Sequence, residues 1–164
     1  MNAIMKGLAI AALLVTVLGA GVVLYGLQTM TPQVEMAVAA VTPASDAQDV
    51  FDDALRRIEN RTFTGRVIAD ASGLSAEDAA FVTYTVRLNN RGFFPAEWIT
   101  LTVVPGDGDI LQLPDESAHV LTAGSRGDLS ATILRAGDAG DTARELELVC
   151  YVLGRRVAFT AQAQ

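Results

Sequence analysis

Few side chains in this sequence could carry out acid–base or nucleophilic chemistry. There is one histidine, His119, and one cysteine, Cys150. A lone imidazole without a second histidine or a cysteine partner does not form an ordinary zinc site, so we expect His119 to be a surface residue in a loop. Cys150 alternates with Leu148 and Val152, which predicts a buried and unreactive thiol on a strand. Because the sequence also lacks a Gly-x-Ser-x-Gly motif and a phosphate-binding glycine loop, we expect no enzymatic activity and no cofactor.

Four carboxylates that lie close together in the sequence are weak candidates for metal ligands. They are Asp107, Asp109, Asp115 and Glu116. Calcium takes six to eight oxygen ligands, and these loops supply at most four side chains without the spacing of an EF-hand. Asp-Gly pairs are also ordinary hairpin turns, so we predict that no metal is bound here.

The most prominent apolar group outside the N-terminal segment consists of Phe93 and Phe94, which precede a proline, and Trp98. We expect these rings to pack in the core and against a turn. Exposure of Phe93 or Phe94 would instead mark a contact surface, because exposed aromatic clusters are typical of binding sites.

The charge distribution argues against nucleic acid as a partner. Residues 1–44 carry only Lys6 and Glu35, so the rest of the chain holds the whole net charge of −7. An acidic surface repels phosphate backbones, whose binding depends on cationic contacts. The apolar fraction of 51% and the mean hydropathy of +0.33 are high for an average soluble domain.

Much of that apolar excess lies in residues 7–27, which contain no charge. About 20 helical residues cross a hydrocarbon core of about 30 Å, so this segment predicts a transmembrane helix. Lys6 precedes it and no further cation follows before Arg56. The positive-inside rule therefore predicts a cytoplasmic segment 1–6 and a domain outside the cytoplasm. A cleaved signal peptide is the alternative, since Ala37-Val38-Ala39 fits a cleavage site, although the apolar run is longer than the usual one.

The rest of the chain divides into a linker over residues 28–44 and a domain over residues 45–164. Two prolines and little periodicity predict that the linker is a tether. Ser45 followed by Gln48 forms a capping box, which predicts a short amphipathic helix over residues 45–60.

From Thr62 onward the apolar period changes to two, with turn signals every 8–14 residues. This pattern predicts a mainly β domain, an antiparallel immunoglobulin-like sandwich of about seven strands. The turn Asn89-Asn90-Arg91-Gly92 is assigned because Asn and Gly tolerate positive φ angles. The predicted strands are 63–69, 82–88, 98–104, 110–113, 129–134, 145–152 and 157–159.

The segment from Thr83 to Val103 has the order strand, Asn-Asn-Arg-Gly, two Phe, Pro95-Ala96 and strand, followed later by a turn containing Gly124. It resembles the immunoglobulin-like domains of bacterial surface proteins of the CARDB and FxLYD types. The resemblance covers about 50 residues and implies a binding or spacer module without catalytic residues.

Three functions are compatible with this sequence. The first is a non-enzymatic module outside the cytoplasm, anchored in the membrane through residues 7–27, that binds a protein partner or acts as a spacer. The second is a minor structural subunit of a cell-envelope assembly such as a pilus or secretion machine. The third is an extracytoplasmic enzyme that uses the acidic loops and a metal.

Overall fold

The computed structural model describes residues 3–28, 31–114, 119–137 and 142–163. Within these ranges the chain forms two α-helices and eight β-strands, with 3-10 turns at residues 44–47 and 76–78. The helices are α1 (Ala3–Gln28) and α2 (Gln48–Glu59). The strands are β1 (Gln33–Pro43), β2 (Arg66–Val67), β3 (Ala79–Asn89), β4 (Glu97–Val103), β5 (Asp109–Gln112), β6 (Arg126–Ala136), β7 (Arg144–Val152) and β8 (Arg155–Ala163).

The strands form two antiparallel sheets, so the predicted mainly β sandwich is confirmed. One sheet has five strands in the order β1-β3-β6-β5-β2, and the other has three in the order β4-β7-β8. The eight strands exceed the predicted seven because β1 was not expected. The predicted strand 63–69 is mostly wrong, since only Arg66 and Val67 pair with β5.

The core between the sheets follows the period-two pattern read from the sequence. On β3 the inward residues are fully buried, and β4 and β7 contribute alternate residues in the same way. Because successive strand residues point to opposite faces, the pattern fixes which side of each strand is buried. Members of this core include Val82, Tyr84, Val86, Leu88, Leu101, Val103, Ile133, Leu146 and Leu148.

The linker prediction for residues 28–44 is wrong, because most of this segment is strand β1. It pairs antiparallel with β3 from Gln33 opposite Asn89 to Pro43 opposite Ala80, with a bulge between Val34 and Met36. The segment is rich in alanine, a poor strand former, and the bulge interrupts the alternation. Backbone pairing with β3 therefore determines this strand more than its own sequence does.

Helix α2 confirms the short helix after residue 44, but its start differs from the predicted one. Ser45 lies in the preceding 3-10 turn, and Ala47 at the N-cap makes no side-chain hydrogen bond, so the capping box is absent. The helix buries Phe51 and Ala54. Phe51 packs with Phe81 and Leu134 on the outer face of the five-stranded sheet, at the end where β3 begins.

Gln112 joins the two sheets where β5 passes the edge of β4. Its side-chain carbonyl accepts a hydrogen bond from the Val103 N–H at 3.3 Å, and its amide donates to the Leu101 carbonyl at 3.2 Å. These bonds satisfy backbone groups that a sheet edge would otherwise leave unpaired. The side of β4 that faces away from β7 is therefore covered.

Helix α1 is apolar between Lys6 and Gln28 and packs little against the sandwich. Gly7–Gly26 is long and apolar enough to cross a membrane, and its residues are exposed except for Gly26 at its end. A signal sequence near the N-terminus can also meet these criteria of length and apolarity. Length and apolarity alone establish one candidate span within the residues that the structure describes.

Candidate interaction surface

Five exposed apolar side chains lie at one end of the sandwich, which we call the proximal end because β1 begins there after α1. We name them the aromatic patch: Phe93, Phe94, Trp98, Val120 and Leu153. Phe93 is 58% exposed and Trp98 is 71% exposed. The expectation that the three aromatic rings pack in the core is therefore wrong. The exposure of Phe93 instead fits the alternative prediction, in which these rings mark a contact surface.

Backbone pairing brings the three segments of the aromatic patch side by side. Glu97, next to Trp98, lies opposite Tyr151 near the end of β7, and the hairpin containing Leu153 follows. On the other side of β4, Ala96 pairs with Leu121. Residues from loop 91–96, from segment 119–121 and from the β7–β8 hairpin thus share the proximal end.

Two members of the aromatic patch have backbone angles that large residues rarely adopt. The φ angle of Trp98 is 51° and that of Leu153 is 52°. Trp98 lies in a β-bulge, where the register between β4 and β7 shifts. Positive φ at a bulky residue costs about 1–3 kcal/mol and is typical of sites under a functional constraint. The bulge and the hairpin therefore hold two large apolar side chains in solvent at an energetic cost.

Asn90 holds the loop that carries Phe93 and Phe94. Its buried side-chain amide donates to the carbonyls of Phe94 at 2.9 Å and Leu121 at 3.0 Å. Its side-chain oxygen accepts from the Gly92 N–H at 3.0 Å. The chain does turn where the sequence predicts it. The predicted reason is wrong, because the φ angle of Asn90 is not positive and Asn90 acts through its side chain.

The aromatic patch also touches the end of the apolar helix. The rings of Tyr25 and Phe93 have centroids 5.6 Å apart and planes inclined at 56°. Gly26 lies against the same loop, since a Cβ built there would be 3.8 Å from Phe94 Cε2. Offset and tilted ring pairs at this distance attract each other. The loop 91–96 is thus the part of the sandwich that contacts α1.

A charged network ties β1 to its neighbours close to the aromatic patch. Glu35 accepts hydrogen bonds from Asn89 Nδ2 at 2.7 Å and from Arg126 Nε at 3.1 Å. The Asn89 hydrogen bond and the Arg126 charge lower the pKa of Glu35. Arg87 donates two hydrogen bonds of 2.8 Å to the carboxylate of Asp128, which lowers the pKa of Asp128. The Arg87–Asp128 pair is solvent-exposed, so it contributes little to stability, whereas the Glu35–Asn89 contact is partly buried.

The Arg87–Asp128 pair predicts a specific dependence of stability on pH. Because its folded-state pKa lies below the ordinary 3.8, Asp128 contributes stability above 3.8 and loses it as the pH falls through the folded value. Asp128→Asn removes this contribution. We expect the urea midpoint of the variant to lie below that of the wild type at neutral pH, with the gap closing under acidic conditions. An equal gap at every pH would contradict the pairing.

The candidate metal ligands do not form one site among the residues that the structure describes. The side chain of Asp107 is exposed, whereas the carboxylate of Asp109 is fully buried and lies 3.1 Å from Arg135 Nε and 3.6 Å from Arg144 Nε. Neither contact has hydrogen-bond geometry, but the Gly106 N–H donates to Asp109 at 2.7 Å. Asp115 and Glu116 lie outside the described residues. Asp109 therefore neutralises two arginines at the end of the sandwich opposite the aromatic patch.

His119 and Cys150 lie in separate places. His119 is half-buried, and its backbone carbonyl accepts a hydrogen bond from the Ile99 N–H at 3.1 Å. Cys150 is fully buried in the core as predicted, and burial raises the pKa of its thiol. A raised pKa disfavours the thiolate, the reactive form of cysteine.

Leu153 offers a direct test of the strain in the aromatic patch. Leu153 and Gly154 both have positive φ angles, the geometry for which Asn-Gly is preferred in two-residue hairpins. We expect Leu153→Asn to raise the free energy of unfolding by about 1 kcal/mol, since asparagine tolerates this region better. Leu153→Ala is the matched control and should change stability little, because the lost side chain is exposed. Thermal unfolding of both variants distinguishes strain from packing.

No family of known proteins matches this chain, and no curated protein matches it. Among solved structures, it is similar to the cupredoxin domain of AmoB from Nitrosocaldus yellowstonii, with 14% sequence identity and a TM-score of 0.31. The match covers 82% of this chain and 88% of that domain. The class that the structure itself shows is an antiparallel β-sandwich preceded by an apolar helix.

Proposed function

We propose that this protein is a non-enzymatic binding or spacer module held at a membrane by α1. Residues 1–6 are cytoplasmic and the sandwich lies outside the cytoplasm. The observation that carries the proposal is an unburied apolar helix of membrane-spanning length, joined through a very short connection to a folded domain. An apolar helix that the sandwich does not cover needs another apolar environment.

The short connection supports an uncleaved anchor. A cut after Ala37-Val38-Ala39 would remove the first half of β1, including Val34 and Ala37, which pack against the core between the sheets. Keeping α1 attached therefore preserves the complete five-stranded sheet.

The proposal is tested by fractionating cells that express the full chain. We expect the protein to stay in the membrane pellet after alkaline carbonate extraction, with α1 still present by mass. Leu14→Arg and Val17→Arg together place two charges in the apolar span, at a cost of about 5–7 kcal/mol for insertion. They should release the protein from the pellet, whereas Thr85→Arg on the sandwich should not.

Topology is tested by adding protease to intact cells. We expect the sandwich to be degraded or clipped at its loops in intact cells while a cytoplasmic control protein survives. Protection in intact cells and loss only after lysis would reverse the orientation. Detection of mature protein that lacks α1 would show that α1 is a cleaved signal peptide and not an anchor.

A further inference from the structure

We propose that the aromatic patch rests on the lipid–water interface of the membrane that α1 spans, so that the sandwich is held against the bilayer in one orientation. This inference rests on the proposed function, and it identifies the partner that the aromatic patch contacts. The chemistry of that partner is a phospholipid surface, with acyl chains near the aromatic rings and headgroups around them.

The composition of the aromatic patch suits that environment. It combines two Phe rings, one Trp, one Val and one Leu, all exposed at the proximal end. Aromatic and large apolar side chains gain by entering the headgroup boundary, and Trp and Tyr are enriched there because each has an apolar body and a polar edge. Tyr25 at the end of α1 adds a second ring of this kind beside Phe93.

The connection to α1 keeps the aromatic patch at the membrane. Five Cα–Cα steps separate Gln28, the last residue of α1, from Gln33, the first residue of β1, and five steps span at most about 18 Å. The contact between Tyr25 and Phe93 fixes which end of the sandwich lies next to the helix. When α1 spans the bilayer, the proximal end therefore lies within reach of the headgroups.

The charges around the aromatic patch favour the same orientation. Exposed arginines lie at this end at positions 91, 126, 155 and 156, although the whole chain has a net charge of −7. They outnumber the acidic Glu35, which pairs with Arg126, and Glu97. The opposite end carries helix α2, whose acidic residues Asp49, Asp52, Asp53 and Glu59 outnumber its two arginines, both of which pair with Asp53. Guanidinium groups attract lipid phosphates, while the acidic end is repelled by them. The molecule is thus polarised with its basic, aromatic end toward the bilayer.

The backbone strain supplies an independent observation. Trp98 and Leu153 have positive φ angles and yet project large apolar side chains into solvent. In water these positions carry backbone strain without burying any apolar area. At a bilayer interface, burial of the two side chains offsets the strain. Trp98 also lies in a β-bulge, a feature that is common next to functional sites.

Trp98 is the only tryptophan in the chain, so it reports on the aromatic patch directly. The full chain is placed in phosphatidylcholine nanodiscs, where both bilayer faces are accessible. Trp98 fluorescence is then measured with two quenchers, acrylamide in the water and a spin label attached to the lipid near the headgroup. We expect several-fold protection from acrylamide relative to free tryptophan, a blue-shifted emission and strong quenching by the labelled lipid.

Two variants give the test its specificity. Phe93→Ser with Phe94→Ser should weaken the lipid quenching of Trp98, because the neighbouring rings no longer enter the interface. Val67→Ser is the matched control, since Val67 is equally exposed but lies on β2, outside the aromatic patch. It should leave the lipid quenching unchanged.

The remaining outcomes each count against the inference and separate it from the proposed function. Protein that stays with the discs while Trp98 is fully accessible to acrylamide overturns the lipid contact and leaves the anchor intact. Protection of Trp98 from both quenchers assigns the patch to a protein surface, such as a second copy, and also overturns it. Protein that does not stay with the discs overturns both the anchor and the lipid contact.

Discussion

Replacement of Asp109 by alanine lowers the free energy of unfolding by about 3–5 kcal/mol, because it removes a buried carboxylate that faces two largely buried arginines. Arg135 and Arg144 have side chains only 10% and 12% exposed, and the Asp109 side chain is 0% exposed. The total stability of a domain of this size is about 5–15 kcal/mol, so the loss is a large part of it. We expect a large decrease in the urea midpoint of the full chain in detergent.

The control for this prediction is Asp107→Ala, two residues earlier in the same turn. The Asp107 side chain is exposed, and only its backbone carbonyl accepts a hydrogen bond, from Arg135 Nη2 at 3.1 Å. We expect this variant to unfold within about 0.5 kcal/mol of the wild type. Equal stabilities for Asp107→Ala and Asp109→Ala would show that the ion cluster does not stabilise the fold.

Replacement of Asn90 by alanine has the second-largest expected effect, a loss of about 2–4 kcal/mol. The change removes the donor to the Phe94 carbonyl and the acceptor for the Gly92 N–H, both at a buried side chain. Each buried polar group left without a partner costs about 1–3 kcal/mol. The Leu121 carbonyl is less affected, since it also accepts from the Ala96 N–H at 2.9 Å.

This prediction has a local measurement besides stability. Hydrogen exchange at the Gly92 amide should become faster in Asn90→Ala than global unfolding explains, because its acceptor is gone. Asn90→Asp keeps an acceptor and should retain more protection at Gly92 while still losing the donor to Phe94. Asn60→Ala, which removes an exposed amide at the end of α2, should change neither quantity. Unchanged exchange at Gly92 in Asn90→Ala would contradict the role of this side chain.

The two variants act at opposite ends of the sandwich. Asp109, just after the turn before β5, pairs with Arg135 of β6 and Arg144 of β7. Asn90 holds the loop of the aromatic patch at the other end. We therefore expect Asn90→Ala to weaken the lipid quenching of Trp98 under conditions in which the protein is still folded. A reduced stability with unchanged quenching would assign Asn90 a purely structural role.

Much of the fold could be predicted from local pattern. Alternation on β3, β4 and β7 placed Tyr84, Leu101 and Cys150 correctly, because a half-buried strand repeats every two residues whatever its partners are. The apolar helix was equally visible, since its composition alone distinguishes it. Its place in a membrane stays a proposal, because the same composition fits a signal sequence.

The functional surface could be predicted only in part. The sequence singled out Phe93, Phe94 and Trp98, but no pattern says whether Phe93 and Phe94, in the loop before β4, point inward or outward. Alternation along β4 puts Trp98 on the face opposite the buried Ile99, where the structure has it, but it does not predict the bulge beside Trp98. Val120 and Leu153 carry no sequence signal for the same site, although a leucine before a hairpin glycine is itself unusual.

Local sequence patterns are sufficient to predict the apolar helix, the mainly β class and the burial of most strand residues, because these depend on neighbours along the chain. The folded structure was needed to show that residues 33–43 form a strand, that Asp109 faces two arginines, and that three distant segments form one apolar surface beside α1. These features arise from contacts between residues far apart in sequence. Such contacts depend on how the sheets pair, which no local pattern of side chains specifies.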